Sequence, residues 1–509
     1  MSDRPARDGA GDLAHAARRG LVLTGGSFAA RAGLEFGTSV ALARLLSPSD
    51  FGVVAVAQAF LQLSYVVGNL GMGAAVVQSR ELGENGRRTA TTVATSTAIL
   101  LALVCALAAP FAAAFFTMPI LKRAMPIMAI EMVMQGFSAT PIAILRRRLQ
   151  YGRAALVDAG SAVVYAVTAV GLALTGHGVW SLVFTPLVSG TWSVVASYAI
   201  AGYRPRFGFD REAAKRLLGY GGSLTVKNLF VHLARNADNL VVAKRLGEYP
   251  TGLYTRAFSL STLPQSRLVS LIYGVSFPVF CRLRDDRERF HAWYLKATTV
   301  AAVLVTPLLL GLAVLAPDFT VVVYGPAWAD MAGCLRALCL AGLLNSIHML
   351  GGAAIEASGR VRYEVTAQSI YGVSIPIGAF IGSHWGITGV ACGVLGAAMV
   401  FYVSKGLALR AAIGLSFRDF VRAVLRVVLA GGVMAGSVIA GLSVASRFGF
   451  AVTPLSRLVA GTAFGGVVYG LCMATLARRE MAVVVDQLAG MLGRRQGGAA
   501  NGTTVDEGA

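Results

Sequence analysis

Long apolar stretches recur along almost the whole chain, and each is close to the length of a membrane-crossing helix. Such a helix needs about 20 predominantly apolar residues. Windows of this kind predict fourteen spans, near 21–45, 51–72, 90–114, 124–144, 155–175, 179–201, 218–243, 252–276, 294–316, 333–354, 364–383, 386–404, 420–443 and 456–476. Only 14% of the residues are charged, whereas soluble domains carry roughly a quarter. The sequence therefore predicts an all-α polytopic membrane protein.

Both ends of the chain are polar. Residues 1–20 lack the short apolar core and small-residue cleavage site of a secretory signal peptide, so we expect the first span to stay in the protein. The segment 478–509 ends in a Gly-rich polar run that begins near Leu492, a composition typical of disorder. We expect both ends to be cytoplasmic and the tail to be partly disordered.

The basic residues are distributed unevenly between the two sides of the predicted membrane. If both ends are cytoplasmic, the cytoplasmic segments carry 32 Lys and Arg residues, including Lys405 in the segment 405–427, and the opposite side carries 6. This asymmetry follows the rule that cytoplasmic loops are rich in basic residues. The net charge of +20 therefore indicates topology, and we expect no nucleic-acid partner.

The chain also resembles itself at an offset of 200 residues. Segment 43–57 aligns with 243–257, placing Gly52 over Gly252, and a second match pairs the loops 147–153 and 359–365. The matches fall at equivalent positions between spans and predict two parallel six-helix repeats followed by two C-terminal helices. The expected divisions are an N-lobe at 21–201, a basic cytoplasmic linker at 202–217, a C-lobe at 218–411 and the last two helices within 420–477.

One short segment inside the predicted seventh span is strongly polar. Residues 227–239, KNLFVHLARNADN, hold seven polar or ionisable side chains, which fall on one half of a helix at about 100° per residue. Such a face must turn to protein or water, because a charge facing lipid costs several kcal/mol. One interpretation is an ion pair of Arg235 with Asp238 that joins helices. The other is a wet substrate cavity, since a lysine, a histidine and carboxamides remain once that pair is made.

Other spans contain further ionisable residues. Arg31 and Glu35 have the i, i+4 spacing of an ion pair. Arg256 and Arg267 share one face of the eighth span, about 16 Å apart along its axis, with a kink expected at Pro264. Arg267 could instead extend toward the cytoplasmic surface. Buried partners and proton coupling are both open for four isolated groups, Glu131, Asp158, His348 and Glu356.

The remaining motifs point to packing rather than to catalysis. Three GxxxG pairs are expected to pack helices closely, namely Gly33 with Gly37, Gly389 with Gly393, and Gly466 with Gly470. The sequence contains no GxxxxGK[ST] phosphate loop, no HExxH and no GxSxG, and its six cysteines are scattered without a CxxC pair. We therefore expect no enzyme, no cofactor and no metal site.

The segments 31–60, 69–79 and 237–264 resemble the Wzx-type flippases of polysaccharide repeat units, in the multidrug/oligosaccharidyl-lipid/polysaccharide superfamily. The resemblance implies a V-shaped pair of MATE-like six-helix lobes that flips undecaprenyl-pyrophosphate-linked oligosaccharides across the inner membrane by alternating access. In such folds helices one, two, seven and eight line the cavity. This implies ten candidate substrate-binding residues, Arg31, Glu35, Lys227, Asn228, His232, Arg235, Asp238, Asn239, Arg256 and Arg267.

Two other functions remain open at this point. A cation-coupled multidrug exporter shares the fold, although an excess of intramembrane cations suits an anionic headgroup better. A membrane-embedded glycosyltransferase or polymerase is expected to have a large outer loop, whereas the first outer loop here is little more than SPSD at 47–50. The partners implied by the resemblance are the lipid-linked oligosaccharide, membrane lipids, and the machinery of polysaccharide polymerisation or export.

Overall fold

The computed structural model describes residues 31–68, 84–148, 150–204, 206–211, 236–448, 453–478 and 481. These residues form helices joined by short turns, and no strand occurs among them. The helices of the first half are α1 (31–45), α2 (Pro48–Gly68), α3 (Glu84–Phe116), α4 (Leu121–Arg147), α5 (Tyr151–Leu174) and α6 (Val179–Ala201).

The second half continues in the same manner. Its helices are α7 (236–246), α8 (Glu248–Pro264), α9 (Ser270–Arg282), α10 (Arg287–Val314), α11 (Met331–Ala357), α12 (Val361–Gly382), α13 (Gly386–Ile413), α14 (Phe417–Arg447) and α15 (Pro454–Thr475). A five-residue π-helical turn, Gln265–Val269, separates α8 from α9. Each of the fourteen predicted spans overlaps one of these helices, with α8 and α9 sharing the eighth span.

The surface of these helices is that of a membrane protein. Nine stretches of the described chain are helical, long enough and apolar enough to cross a bilayer. On α3, large apolar side chains that are 55–77% exposed recur at helical spacing, namely Leu100, Leu103, Leu107 and Phe111. Small residues on the opposite face of the helix are buried. A broad apolar face that no other part of a protein covers is matched to lipid. The expectation of a multi-pass membrane protein is confirmed.

The chain divides into two compact units. The first takes in the chain up to Ser261 together with Ala316–Ala341 and Gln368–Val400, and the second contains Thr262–Leu315, Gly342–Ala367 and the chain from Phe401 onward. In the first unit α3, α4 and α6 pack together around fully buried α4 side chains such as Leu121, Met125 and Met128. In the second unit α14 packs on α10 and α15. The predicted six-helix lobes follow a different division and stay a prediction.

Glycines set the closest helix approaches, although not all of the predicted pairs do so. A Cβ at Gly393 would lie 2.0 Å from the carbonyl oxygen of Gly378, and one at Gly389 would lie 2.2 Å from that of Gly382. Close packing of α13 on α12 is therefore confirmed. No described atom beyond the adjoining turns of their own helices would lie within 4 Å of a Cβ at the other four positions, Gly33, Gly37, Gly466 and Gly470. Close packing at those two pairs stays a prediction.

Candidate functional site

Helices α2 and α8 cross backbone to backbone at two glycines in the first unit. A Cβ added to Gly52 would lie 1.9 Å from the carbonyl oxygen of Glu248, and one added to Gly252 would lie 1.8 Å from that of Pro48. Real Cβ atoms do not approach other atoms within 3.0 Å, so only glycine fits at either position. These two residues are the ones that the predicted internal repeat aligns, so the crossing joins two points that the repeat predicts to be equivalent.

A turn that precedes α11 fastens the end of α1 beside this crossing. The indole Nε1 of Trp328 donates to the carbonyl oxygen of Ala43 at 2.8 Å. The guanidinium of Arg44 donates to the carbonyl oxygen of Val323 at 2.9 Å. The Trp328 ring also meets the edge of Phe51, with the ring centroids 5.4 Å apart. Trp328 is fully buried, so the α1–α2 connection is held against the second half of the chain by buried contacts as well as by the glycines.

Arg256 lies on α8, one helical turn after Gly252. Its Nη1 donates to the hydroxyl oxygen of Ser39 at 3.0 Å, and its guanidinium carbon lies 4.0 Å from the centre of the Phe51 ring. The phenols of Tyr165 and Tyr324 are its other electrostatic neighbours. Among the described residues no carboxylate pairs with Arg256. Its place about 12 Å from the start of α8 puts this cation, which no described carboxylate neutralises, within the membrane-spanning part of the protein.

Asp238 and Asn239, from the polar segment of the seventh span, join α7 to α8. The Asp238 carboxylate is 1% exposed and accepts a hydrogen bond of 2.7 Å from the hydroxyl of Tyr254. The carboxamide oxygen of Asn239 accepts from the hydroxyl of Thr255 at 3.3 Å. Both contacts run between neighbouring helices, so in this structure these two candidates serve helix packing.

The other candidates on described residues are placed separately. Arg31 and Glu35 form an ion pair of 2.7 Å, with their side chains 42% and 36% exposed, as their spacing predicted. Arg267 is half-buried in the π-helical turn that begins directly after Pro264, so the helix departs from regular geometry where the proline predicted it. Four candidates lie outside the described residues, Lys227, Asn228, His232 and Arg235, and the pairing of Arg235 with Asp238 stays a prediction.

The structure also shows a buried ion pair that the sequence analysis missed. The ammonium group of Lys405 on α13 donates to the carboxylate of Glu364 on α12, and the two residues are 1% and 7% exposed. The sequence analysis placed Lys405 in the cytoplasmic segment that follows the twelfth span, and in the structure α13 continues through this residue to Ile413. The available signal was a pair of opposite charges at the margins of two adjacent spans. Glu131 and Glu356 each have a partner, since they accept hydrogen bonds from Gln135 and Tyr273.

His348 is the remaining buried group of the second unit that the sequence analysis singled out. It is 1% exposed, and its ring lies 4.2 Å from the centroid of Tyr402 and 5.0 Å from that of Phe420. Neither ring nitrogen has a hydrogen-bond partner within the described part of the chain. An imidazole enclosed by aromatic rings in this manner packs as a core side chain and carries no charge-pair partner of its own.

Comparison with known families and proteins identifies the chain. Residues 41–333 match the family described as polysaccharide biosynthesis protein. The chain belongs to this family. The matched region begins in α1 and ends in α11, and so includes the Gly52–Gly252 crossing and Arg256.

The chain is also similar to individual proteins and to one solved structure. The chain is 29% identical to the succinoglycan biosynthesis transport protein ExoT of Rhizobium meliloti (strain 1021) over 58% of its own length, and it spans about three fifths, 60%, of that relative. It is 23% identical to the lipopolysaccharide biosynthesis protein WzxC of Escherichia coli (strain K12), over 76% of this chain and 80% of that one.

The solved structure is that of the lipid II flippase MurJ in an inward closed conformation. The two chains superpose with a TM-score of 0.74 at 16% identity, over 90% of this chain and 100% of the other. At that level of identity the likeness concerns the fold alone. The expected all-α fold of about fourteen membrane helices is thereby confirmed for this family member.

Proposed function

We propose that this family member translocates undecaprenyl-pyrophosphate-linked oligosaccharide repeat units across the inner membrane by alternating access, for exopolysaccharide, capsule or lipopolysaccharide biosynthesis. The observation that carries the proposal is Arg256, a membrane-embedded guanidinium bound only to neutral groups among the described residues. The names of the relatives from Rhizobium meliloti and Escherichia coli, which concern succinoglycan transport and lipopolysaccharide biosynthesis, support the same class of substrate.

The physical argument concerns the cost of charge in hydrocarbon. An isolated cation within a membrane-spanning segment is unfavourable by several kcal/mol and is therefore a functional candidate by default. A diphosphate that crosses the bilayer carries negative charge, and placing that charge in hydrocarbon is also unfavourable. A guanidinium can hold phosphate oxygens with two parallel hydrogen bonds. The Ser39 hydroxyl and the Phe51 ring orient Arg256 without cancelling its charge, which leaves that charge for an anionic ligand.

The other candidate residues extend this site in the proposal. Arg31 and Glu35 form an accessible ion pair on α1, where the carboxylate can accept from sugar hydroxyls and the guanidinium can donate to them. Asp238 and Asn239 act by holding α7 to α8 in the state described. The roles of Arg267 and of the four candidates outside the described residues follow from the resemblance alone.

The two alternative functions fit these contacts less well. A cationic drug would meet an uncompensated positive charge at Arg256, which disfavours a multidrug exporter at this site. A glycosyltransferase or polymerase needs an external catalytic surface, whereas α1 and α2 are joined by only the two residues 46 and 47. The proposal therefore assigns no catalytic step, and places sugar polymerisation and export with separate proteins.

We propose an inner-membrane location with both ends cytoplasmic, on the basis of the charge asymmetry. Reporter fusions after Arg153, Arg216 and Arg289 are then expected to report the cytoplasm, and fusions near His177 and Ala327 the periplasm. On this topology the Gly52–Gly252 crossing lies toward the periplasm. A periplasmic result at Arg216 would remove the parallel-repeat topology.

The function is tested by deleting the gene in its native host and complementing it with variants. We expect the deletion to cause a lipid-linked oligosaccharide to accumulate on the cytoplasmic side, and Arg256→Gln to reproduce that accumulation at normal protein levels. Arg245→Gln is the matched control, since Arg245 also lies over an aromatic ring, that of Phe380 at 4.7 Å, but is exposed. Normal export by Arg256→Gln would show that this guanidinium is not required for transport.

A further inference from the structure

A cleft in the second unit is lined by three arginines and lies where α13 turns into α14. Its volume is about 790 Å³, and Arg410, Arg418 and Arg422 line it together with the apolar side chains of Phe417 and Val421. Volumes of this size suit ligands as large as a phospholipid headgroup. Asp419, the acidic residue in the first turn of α14, does not belong to the lining.

Basic residues around this corner fall into two groups. Arg287, His291 and Arg360 bind carbonyl oxygens of residues 411–414 at 2.8–3.1 Å, and so satisfy the C-terminal end of α13. The side chains of the three cleft arginines make no hydrogen bond and no ion pair with any described residue. The rule that cytoplasmic loops are basic accounts for positive charge on this side, but not for its concentration around a cavity that no described carboxylate lines.

The walls of the cleft are held by tight packing. The Phe417 ring lies against Gly406 of α13, where a Cβ would come within 2.6 Å of its Cδ2, and it meets the Tyr402 ring edge-on at 5.8 Å. Phe420, on the buried face of α14, is 1% exposed. The turn therefore keeps a fixed geometry, and the arginine side chains extend from a rigid base.

The exposed face of α14 continues from the cleft as an apolar stripe. Arg418 and Arg422 are separated by one helical turn and so lie on one face. Further along that face come Leu425, Leu429 and Val433, which are 45%, 55% and 48% exposed. A cationic recess that leads directly into an apolar, lipid-facing stripe has the polarity of a phospholipid, with the headgroup at the arginines and the acyl chains along the leucines.

We propose that this cleft binds the headgroup of an anionic phospholipid of the surrounding leaflet. Guanidinium groups bind phosphate oxygens through paired, charge-assisted hydrogen bonds, and three of them around one recess can hold one phosphodiester headgroup. On the proposed topology the leaflet is the cytoplasmic one. The inference does not depend on which sugar is transported, because the cleft lies wholly within the second unit and contains none of the ten substrate candidates.

The test measures lipid binding by the purified full-length protein in uncharged detergent. Phosphatidylglycerol and phosphatidylcholine with identical acyl chains are titrated separately, and bound lipid is counted by native mass spectrometry. We expect saturable binding of phosphatidylglycerol and about fivefold weaker binding for each arginine removed, hence roughly 25-fold weaker binding for the double variant Arg418→Gln/Arg422→Gln. The double variant Arg418→Lys/Arg422→Lys is expected to bind with an affinity between those of the wild type and the double Gln substitution, since it keeps the charge and loses the forked guanidinium geometry.

The matched control is Arg447→Gln, which removes an exposed arginine from the opposite end of the same helix and is expected to leave binding unchanged. Unchanged melting temperatures without lipid exclude unfolding as the cause of any loss. Equal binding of the two lipids, or a double variant that binds within twofold of the wild type, would overturn the proposal. So would saturable binding of free inorganic pyrophosphate that displaces phosphatidylglycerol, because the cleft would then be a diphosphate site rather than a phospholipid site.

Discussion

A leucine in place of Gly252 is expected to separate α2 from α8 and so to change the conformational equilibrium of the protein. The added Cβ would start 1.8 Å from the carbonyl oxygen of Pro48, whereas 3.0 Å is the shortest separation that real Cβ atoms show. The two backbones must therefore move apart by at least about 1.2 Å. The contact is with a backbone atom, not with the end of a flexible side chain, so no rotamer change can relieve it.

The cost of this clash is set by the tightness of the crossing. Overpacking of a well-packed contact costs about 1–3 kcal/mol, and a state that separates the two helices avoids that cost. The ratio of separated to crossed molecules should then rise roughly 5- to 150-fold. Leucine is a better helix former than glycine by about 1 kcal/mol, so weakening of α8 itself does not explain a change in this direction.

The separation can be followed at Ala43, which is 3% exposed and lies under the Trp328 indole. An Ala43→Cys reporter is placed in a background without the two exposed cysteines, Cys281 and Cys392, and is labelled from outside with a membrane-impermeant maleimide. We expect slow labelling with Gly252 intact and at least fivefold faster labelling with Gly252→Leu. Transport should fall as well, because a cycle that cannot close on this side is incomplete.

The control for this experiment is Gly37→Leu. Gly37 lies in α1, and no described atom of another helix would come within 4 Å of its Cβ, so the same substitution meets no clash with the described residues. Its labelling rate and transport should match those of the parent protein. If Gly252→Leu is labelled no faster than Gly37→Leu and transports normally, the crossing does not open during transport and our reasoning about it is wrong.

Three further predictions concern stability and energy supply. Lys405→Met should lower the free energy of unfolding by about 3–5 kcal/mol, because it removes the cation that neutralises the buried Glu364 carboxylate. The double variant Lys405→Met/Glu364→Gln should recover most of the loss of melting temperature; equal losses in both would contradict a buried pair. Tyr254→Phe should cost about 1–3 kcal/mol by removing the hydroxyl that donates to Asp238, and Tyr249→Phe, at a residue 38% exposed, should be nearly neutral in the same melting assay. Flipping by the purified protein in vesicles should proceed without ATP, since the sequence has no phosphate loop, and a strict need for ATP would refute this.

Much of the fold could be predicted because its strongest determinant is local. The length and hydropathy of each span placed all fourteen spans on helices of the structure, and Pro264 marked the position where α8 ends. Helix periodicity also predicted the pairing of Arg31 with Glu35, since partners one turn apart are neighbours on any helix. The GxxxG pairs were less informative, because a small residue permits a close approach without specifying that a partner helix is present.

The candidate site was only partly predictable for the same reason. Periodicity identifies the face on which Asp238 lies, but not the residue that this face meets. The hydroxyl of Tyr254 donates to the Asp238 carboxylate, and this hydrogen bond joins α7 to α8. Arg256 could be recognised as a membrane-embedded cation from sequence, whereas the neutral character of its neighbours could not.

The amino-acid sequence by itself therefore determined the helical, membrane-spanning character of the chain, the positions of its spans and the likeness of its two halves. These properties depend on residues near one another along the chain, where apolar length and helical spacing act directly. Tertiary structure decided which distant residues meet: Gly52 with Gly252, Arg256 with Ser39, and Lys405 with Glu364. Burial makes these contacts consequential, because a clash, an unpaired cation or a broken ion pair costs far more inside the protein and membrane than in water.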